Sequence, residues 1–146
     1  MIEAIQFFLT AALEADPPRI DALARALDLL ALAYADAPSG NPLQQRDTSP
    51  GRDYTLIRSK VEGRFPALGF YAVADPLALV PEQPMVGDAV DDITDIVGDL
   101  SEALWRYTAV GPDDAHWYFR FSYETHWGRH LHDLRSYIYA KQFCGP

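Results

Sequence analysis

Two stretches of the sequence hold residue types able to do chemistry, at spacings that matter. The first is an acidic ladder: Asp88, Asp91, Asp92, Asp95, Asp99 and Glu102, with no Lys or Arg between Met85 and Trp105. The second is His126-Trp127-Gly128-Arg129-His130, preceded by His116 and Arg120. On a helix, a turn of 100° per residue gathers Asp88, Asp92, Asp95 and Asp99 into an arc of about 60°. Like charges three and four residues apart destabilise a helix by a few tenths of a kcal/mol per pair. Such a ladder is either a solvated face or the partner of something cationic. His126 and His130, four residues apart, place two imidazoles on one side of a helix, as in H-E-x-x-H zinc sites.

Three chemistries fit these residues. In the first, carboxylates orient and charge-balance imidazoles and guanidinium groups, giving a structural seam that includes Asp88, Asp91, Asp99, Arg120 and Arg129. In the second, His126 and His130 bind a transition metal, with Asp92 or Asp95 completing the ligand set. The pattern lacks the Glu-x-x-His pairs of di-iron bundles. Trp127 also stands where a zinc protease would carry its general-base Glu. In the third, an Asp–His pair does acid–base catalysis, but no Ser or Cys is visibly tied to such a pair. No Gly-rich phosphate loop or dinucleotide fingerprint appears, and no cofactor beyond a metal is implied.

The elements that must position these residues are helical. Ile2, Ile5, Leu9, Ala12 and Leu13 share one face of a first helix. Asp16 is an N-cap candidate, with Pro17 at the first position of a second helix running to about Ala37. That helix carries Ile20, Leu23, Leu27, Leu30 and Tyr34 on one stripe, while Leu29 and Leu32 lie off it and suggest a second apolar face. Residues 38–52 are rich in Pro, Gly, Ser, Asn and Asp and read as a flexible loop. A third helix follows, with Tyr54, Ile57 and Val61 in helical spacing, ending near Gly63. Residues 69–84 are a Pro-rich ordered connector, more consistent with a helical turn than with a strand. The fourth helix spans about Val86–Thr108. Pro112 opens a fifth, expected to run unbroken to about Gln142, some 45 Å at 1.5 Å per residue.

A loop as short as Val110-Gly111 makes the last two helices an antiparallel hairpin. Folding about Val110, residues at one height have numbers summing to about 220, within a turn. Asp95 then stands level with His126, and Asp88, Asp91 or Asp92 with Arg129 and His130. Asp99 and Glu102 stand level with Arg120. Mid-helix Gly98 and Gly128, each costing about 1 kcal/mol against Ala, point to close packing.

Composition sets the frame. The chain has 146 residues, 21 acids against 12 Lys plus Arg, a formal charge of −9 and 49% hydrophobic residues. One domain of this size buries roughly 70% of its unfolded surface. The acidity argues against binding nucleic acid, since phosphates repel a net anion, and against docking on anionic membranes. Cys144 is the only cysteine, so no intramolecular disulfide forms. Glu3 stands where a signal peptide carries Lys or Arg, and the most apolar stretch, 20–35, is broken by Asp21, Arg25 and Asp28. A cytoplasmic location is expected.

Several motifs together resemble a bacterial family known as domain of unknown function 5063. They are Arg64-Phe65-Pro66-x-Leu68-Gly69-x-Tyr71, the ladder from Val86 to Leu100, Trp117-x-x-Arg120-Phe121, and His126-Trp127-Gly128-x-His130. The resemblance covers about half the chain. It implies an all-helical protein of unassigned activity in which the Asp ladder and the His-Trp-Gly-x-His stretch form one signature. Val97-Gly98 stands where the family usually has Tyr-Arg, and Phe119 where it has Trp.

The sequence therefore predicts a single all-α domain, residues 1–146, built as a bundle of four to five helices with a long C-terminal hairpin. The expected role is a non-enzymatic module for a protein partner or self-association, motivated by Leu29 and Leu32. A metal or small-ligand site on the seam of Asp92, Asp95, His126 and His130 is the competing expectation.

Overall fold

The computed structural model describes residues 1–43, 49–79 and 85–145. Helix α1 spans Ile2–Leu13, α2 Ile20–Asp36 and α3 Tyr54–Arg64. Strands β1 (Phe70–Val73) and β2 (Met85–Asp88) pair antiparallel, with Tyr71 opposite Gly87. Helix α4 spans Ala89–Ala109, and α5 spans Pro112–Ser122. A π-helical turn, Tyr123–Trp127, joins α5 to α6 (Gly128–Phe143). The fold is all-α apart from the small hairpin.

Helix α4 is the axis of the bundle. Ile93, Ile96, Leu100 and Ala103 are fully buried, and α1, α3, α5 and α6 all pack on it. Burial of its apolar stripe drives this arrangement, at about 25 cal/mol per Å² removed from water. Around it stand Ile5 and Phe8 of α1, Leu23, Leu27 and Leu30 of α2, and Phe119, Trp127, Leu131 and Leu134 of the C-terminal rod. The buried Trp127 indole N–H donates to Ser122 Oγ at 3.0 Å, which removes the cost of an orphaned donor.

Several boundaries differ from the sequence expectation. Helix α2 begins at Ile20 with Arg19 as N-cap, so Asp16 and Pro17 lie in the preceding turn. Helix α4 begins three residues later than expected because Asp88 caps it, accepting from the amides of Val90 and Asp91. Residues 85–88 are instead committed to β2. The connector opens with a strand, because Phe70 to Val73 find backbone partners in β2, and a turn follows in which Ala78 N donates to Asp75 O at 3.1 Å. The part of it numbered 80–84 lies outside the described residues.

The loop expected over 38–52 is tied down at both described ends. Asn41 N donates to Asp113 O at 3.2 Å, and Leu43 N donates to the buried Asp114 carboxylate at 3.0 Å. At the other end Ser49 donates to Glu102, and Arg52 reaches Asp99. Residues 44–48 lie outside the described residues.

Two arginines close helix C-termini. Arg64 donates to the carbonyls of Ala12 and Ala15 after α1, and Arg120 to those of Tyr34 and Ala37 after α2. Cations there satisfy orphan carbonyls and oppose the negative end of the helix dipole.

The expected single fifth helix is interrupted. Between Tyr123 and Trp127 the backbone adopts the wider π turn, which inserts one extra residue and rotates α6 relative to α5. Gly128 permits this. A Cβ there would lie 2.4 Å from the Tyr123 carbonyl oxygen.

Candidate metal centre

The π turn sets His126 and His130 against α4. His126 Nδ1 lies 2.6 Å from Asp99 Oδ2, and His130 Nδ1 lies 2.7 Å from Asp92 Oδ1. Carboxylates only accept, so each imidazole donates through Nδ1, and in the neutral form its lone pair sits on Nε2. Both Nε2 atoms turn toward the same carboxylate oxygen. Asp95 Oδ2 is 3.9 Å from His126 Nε2 and 3.6 Å from His130 Nε2. One ligand atom from each of Asp95, His126 and His130 lies within 4.8 Å of the other two. Two ligands 2.1 Å from a tetrahedral metal are about 3.4 Å apart, so both Asp95 edges fall within half an ångström of that spacing.

The ladder supplies this geometry by its spacing. Asp92, Asp95 and Asp99 lie on successive turns of one face of α4. The outer two hold one imidazole each, and the middle one stands between the two Nε2 atoms. Asp92 and Asp99 are only 6% exposed, whereas Asp95 is half-open to the site. Asp92 takes a second donor, the Tyr71 hydroxyl. Asp99 takes two more, Tyr118 Oη at 3.1 Å and Arg52 Nη2 at 3.2 Å.

Electrostatics follow from these contacts. The hydrogen bond to Asp92 outweighs burial and raises the His130 imidazole above its ordinary value. Burial pushes the Asp95 carboxyl up; the nearby imidazoles oppose this and Asp91 reinforces it. Burial and then Asp99 push the Tyr118 phenol up to about 12. Burial, followed by the bond to Asp92, raises Tyr71 further still. Both phenols are therefore protonated donors at neutral pH. The carboxylates they serve stay fixed as acceptors for the histidines.

The other expected seam residues are placed differently. Arg120 stands not on Asp99 or Glu102 but on the carbonyls ending α2, with Glu124 at 3.5 Å. Arg129 is mostly exposed and pairs with Asp133 at 3.5 Å rather than with the ladder. Their expected places are filled from elsewhere. Arg58 of α3 pairs with Asp88 at 2.6 Å and Asp91 at 3.4 Å, and Tyr54 donates to Asp91. Arg106, on α4 itself, pairs with Glu102 and with Asp114 at 2.9 Å each. His116 lies apart from the centre, beside the groove between α1 and α2. His132 bonds the Tyr123 hydroxyl at 2.7 Å.

Sequence reasoning missed Arg52, Arg58, Tyr71 and Tyr118. Tyr71 stood inside a quoted motif, and its neighbour Gly87 was a usable signal. A Cβ at Gly87 would lie 2.5 Å from the Tyr71 ring, which stacks on Tyr137 at 4.6 Å. The hairpin thus fixes the ring that reaches Asp92. Arg52 lay in a segment read as loop, with no periodicity to point at Asp99.

The profile of the family described as "Domain of unknown function (DUF5063)" matches residues 9–141. The chain belongs to that family. Both the acidic ladder and the histidine stretch of this DUF5063 chain lie inside the matched region. The crystal structure of protein BF1032 from Bacteroides fragilis is similar at a TM-score of 0.74 and 14% identity, covering 99% of this chain and 88% of that one. At that identity the likeness shows the fold alone. No curated protein matches the chain. Among the described residues, no helix is long and apolar enough to cross a membrane.

Proposed function

We propose that this DUF5063 chain binds one divalent transition-metal ion through Asp95, His126 Nε2 and His130 Nε2. One observation carries the reading: both imidazoles donate Nδ1 to a buried carboxylate, and both aim Nε2 at the same Asp95 oxygen. Carboxylate-oriented histidines are the usual outer shell of a metal site, because the carboxylate fixes the tautomer and strengthens the ligand. A structural seam is already complete with the two Nδ1 bonds, whereas a metal ion makes use of both Nε2 atoms and the Asp95 oxygen together. Asp92, named with Asp95 as a ligand candidate, serves here as the orienting group for His130.

The donor set is two imidazoles and one carboxylate, without thiolate. That suits zinc, ferrous iron, nickel or cobalt and disfavours copper(I). Three protein ligands leave at least one position for water or a substrate atom, as in catalytic rather than closed structural zinc sites. His126 is partly exposed, so that position is reachable from solvent.

Elemental analysis of untagged protein is the test. The expected result is close to one equivalent of a transition metal, lost in a His126→Ala/His130→Ala double variant that keeps its helical circular dichroism. Less than about 0.1 equivalent, together with no uptake from added zinc, would sink the reading, because a genuine site at neutral pH retains its ion.

A second reading, self-association, rests on a separate observation. Leu32 is 58% exposed and Phe7 40%, and with Leu29, Ala4 and Ala33 they line a groove of about 400 Å³ between α1 and α2. Sedimentation at rising concentration tests it. A monomer throughout would remove it.

A further inference from the structure

Asp99 is the least symmetric part of the centre. Its partner in role, Asp92, is fixed by a tyrosine presented on the β-hairpin. Asp99 is fixed by Tyr118 and by Arg52, which arrives from the chain just before α3. Arg52 Nη2 is 3.2 Å from Asp99 Oδ1 and 3.3 Å from Tyr118 Oη, while Asp99 Oδ2 holds His126 at 2.6 Å. One carboxylate therefore has the guanidinium on one oxygen and the imidazole on the other.

The seat for that guanidinium is Gly98. A Cβ there would lie 2.5 Å from Arg52 Nη1 and 2.9 Å from Arg52 Cδ. Glycine in the middle of a 21-residue helix costs about 1 kcal/mol against alanine, so its presence needs a local reason. The atoms crowding this position belong to Arg52, which marks Gly98 as the clearance for an incoming side chain rather than a helix-crossing point. It differs here from Gly128, whose obstacle is backbone.

We infer that Arg52 is a positioning residue for the metal centre: seated over Gly98, it locks the Asp99 carboxylate so that His126 presents Nε2 toward Asp95. This rests on the metal reading above. It also makes the chain entering α3 part of the centre's outer shell, so that metal affinity depends on a contact made far from the ligands in sequence. The guanidinium's role is directional. Its Nη2 donates to both Asp99 Oδ1 and Tyr118 Oη, so it holds that carboxylate oxygen and the phenol together while leaving Oδ2 to His126. Its positive charge alone works against a bound cation, so removing charge and removing orientation push the affinity in opposite directions.

The test therefore uses variants that keep the charge. Gly98→Ala changes no ligand or carboxylate and raises helix propensity, yet it displaces the far end of a flexible arginine. Arg52→Lys keeps the charge and removes the guanidinium that sits over Gly98 and bridges Asp99 to Tyr118. Zinc affinity is measured by competition against a chromophoric chelator, with thermal melting as the control for folding. His126 ring nitrogen chemical shifts of the zinc-free proteins report the tautomer. The expected result is a loss of zinc affinity of about tenfold or more in both variants, as for other outer-shell changes. Gly98→Ala should melt no lower than wild type, and the His126 tautomers should become mixed. Wild-type affinity in both variants would overturn the role of Arg52 while leaving the metal site standing. Failure of the wild type itself to bind zinc would overturn both.

Discussion

Asp88 shows how one residue serves several masters. It caps α4 through the amides of Val90 and Asp91 and pairs with Arg58 at 2.6 Å. Burial works to raise its carboxyl, but these partners outweigh burial and hold it below the usual carboxylate range. A depressed folded value contributes stability that is fully present above the unfolded value near 3.9 and is lost as pH falls through the folded one. Asp88→Asn keeps a capping oxygen and removes the titration and the ion pair. It is expected to cost under about 1 kcal/mol at pH 7, since the pair is partly exposed, and nothing at about pH 2. Urea melts at the two pH values check this; an equal deficit at both would show that the cap, not the charge, matters.

At the scale of elements, the π turn is the decisive irregularity. A straight α-helix from Pro112 would have carried α6 onward in the phase of α5. The extra residue between Tyr123 and Trp127 re-aims the helix, and His126 sits within it while His130 follows a turn later. The two mid-helix glycines look alike in sequence and are expected to answer differently to alanine. At Gly128 the new Cβ meets the Tyr123 carbonyl at 2.4 Å, which cannot move without undoing the turn. Gly128→Ala should destabilise by about 1–3 kcal/mol, as overpacking does, and should reduce zinc binding with it. At Gly98 the helix gains propensity and only a side-chain tip is displaced. Thermal melts of the pair separate the cases, and equal effects would contradict the distinction.

At the scale of the molecule, the net charge of −9 is not spread as a uniform repulsive shell. The ladder on α4 is matched by Arg58 and Arg52 on one side and by imidazoles on the other. Within the ladder, Asp95 faces the two Nε2 atoms and is paired with no Lys or Arg among the described residues. A divalent ion there would tie α4 to the C-terminal rod. Zinc at 100 times its dissociation constant is expected to stabilise the fold by about 2.7 kcal/mol. A chelator should reverse the shift in melting temperature, and a melt indifferent to both would count against the site.

The apolar periodicity determined much by itself: an all-α domain, helices in the right order, and a C-terminal hairpin that brings the ladder near the histidines. A 3.6-residue stripe is a local property, so sequence alone displays it. The short Val110-Gly111 connection likewise fixes the pairing of the last two helices. Which partner each polar group takes was decided only in three dimensions. From sequence, Arg120 and Arg129 are expected to meet the ladder, yet Arg120 found bare carbonyls ending α2, and Arg129 found Asp133. Arg52 and Arg58 lie far off in sequence and reach the ladder because α3 packs on α4. The π turn has no periodic signature, since one inserted residue alters phase without altering composition. Hydrogen bonds need positions good to a few tenths of an ångström, and those are fixed by how whole helices pack. The sequence thus determined which groups share a neighbourhood. Packing decided which of them touch, and that two imidazoles and one carboxylate point at a common centre.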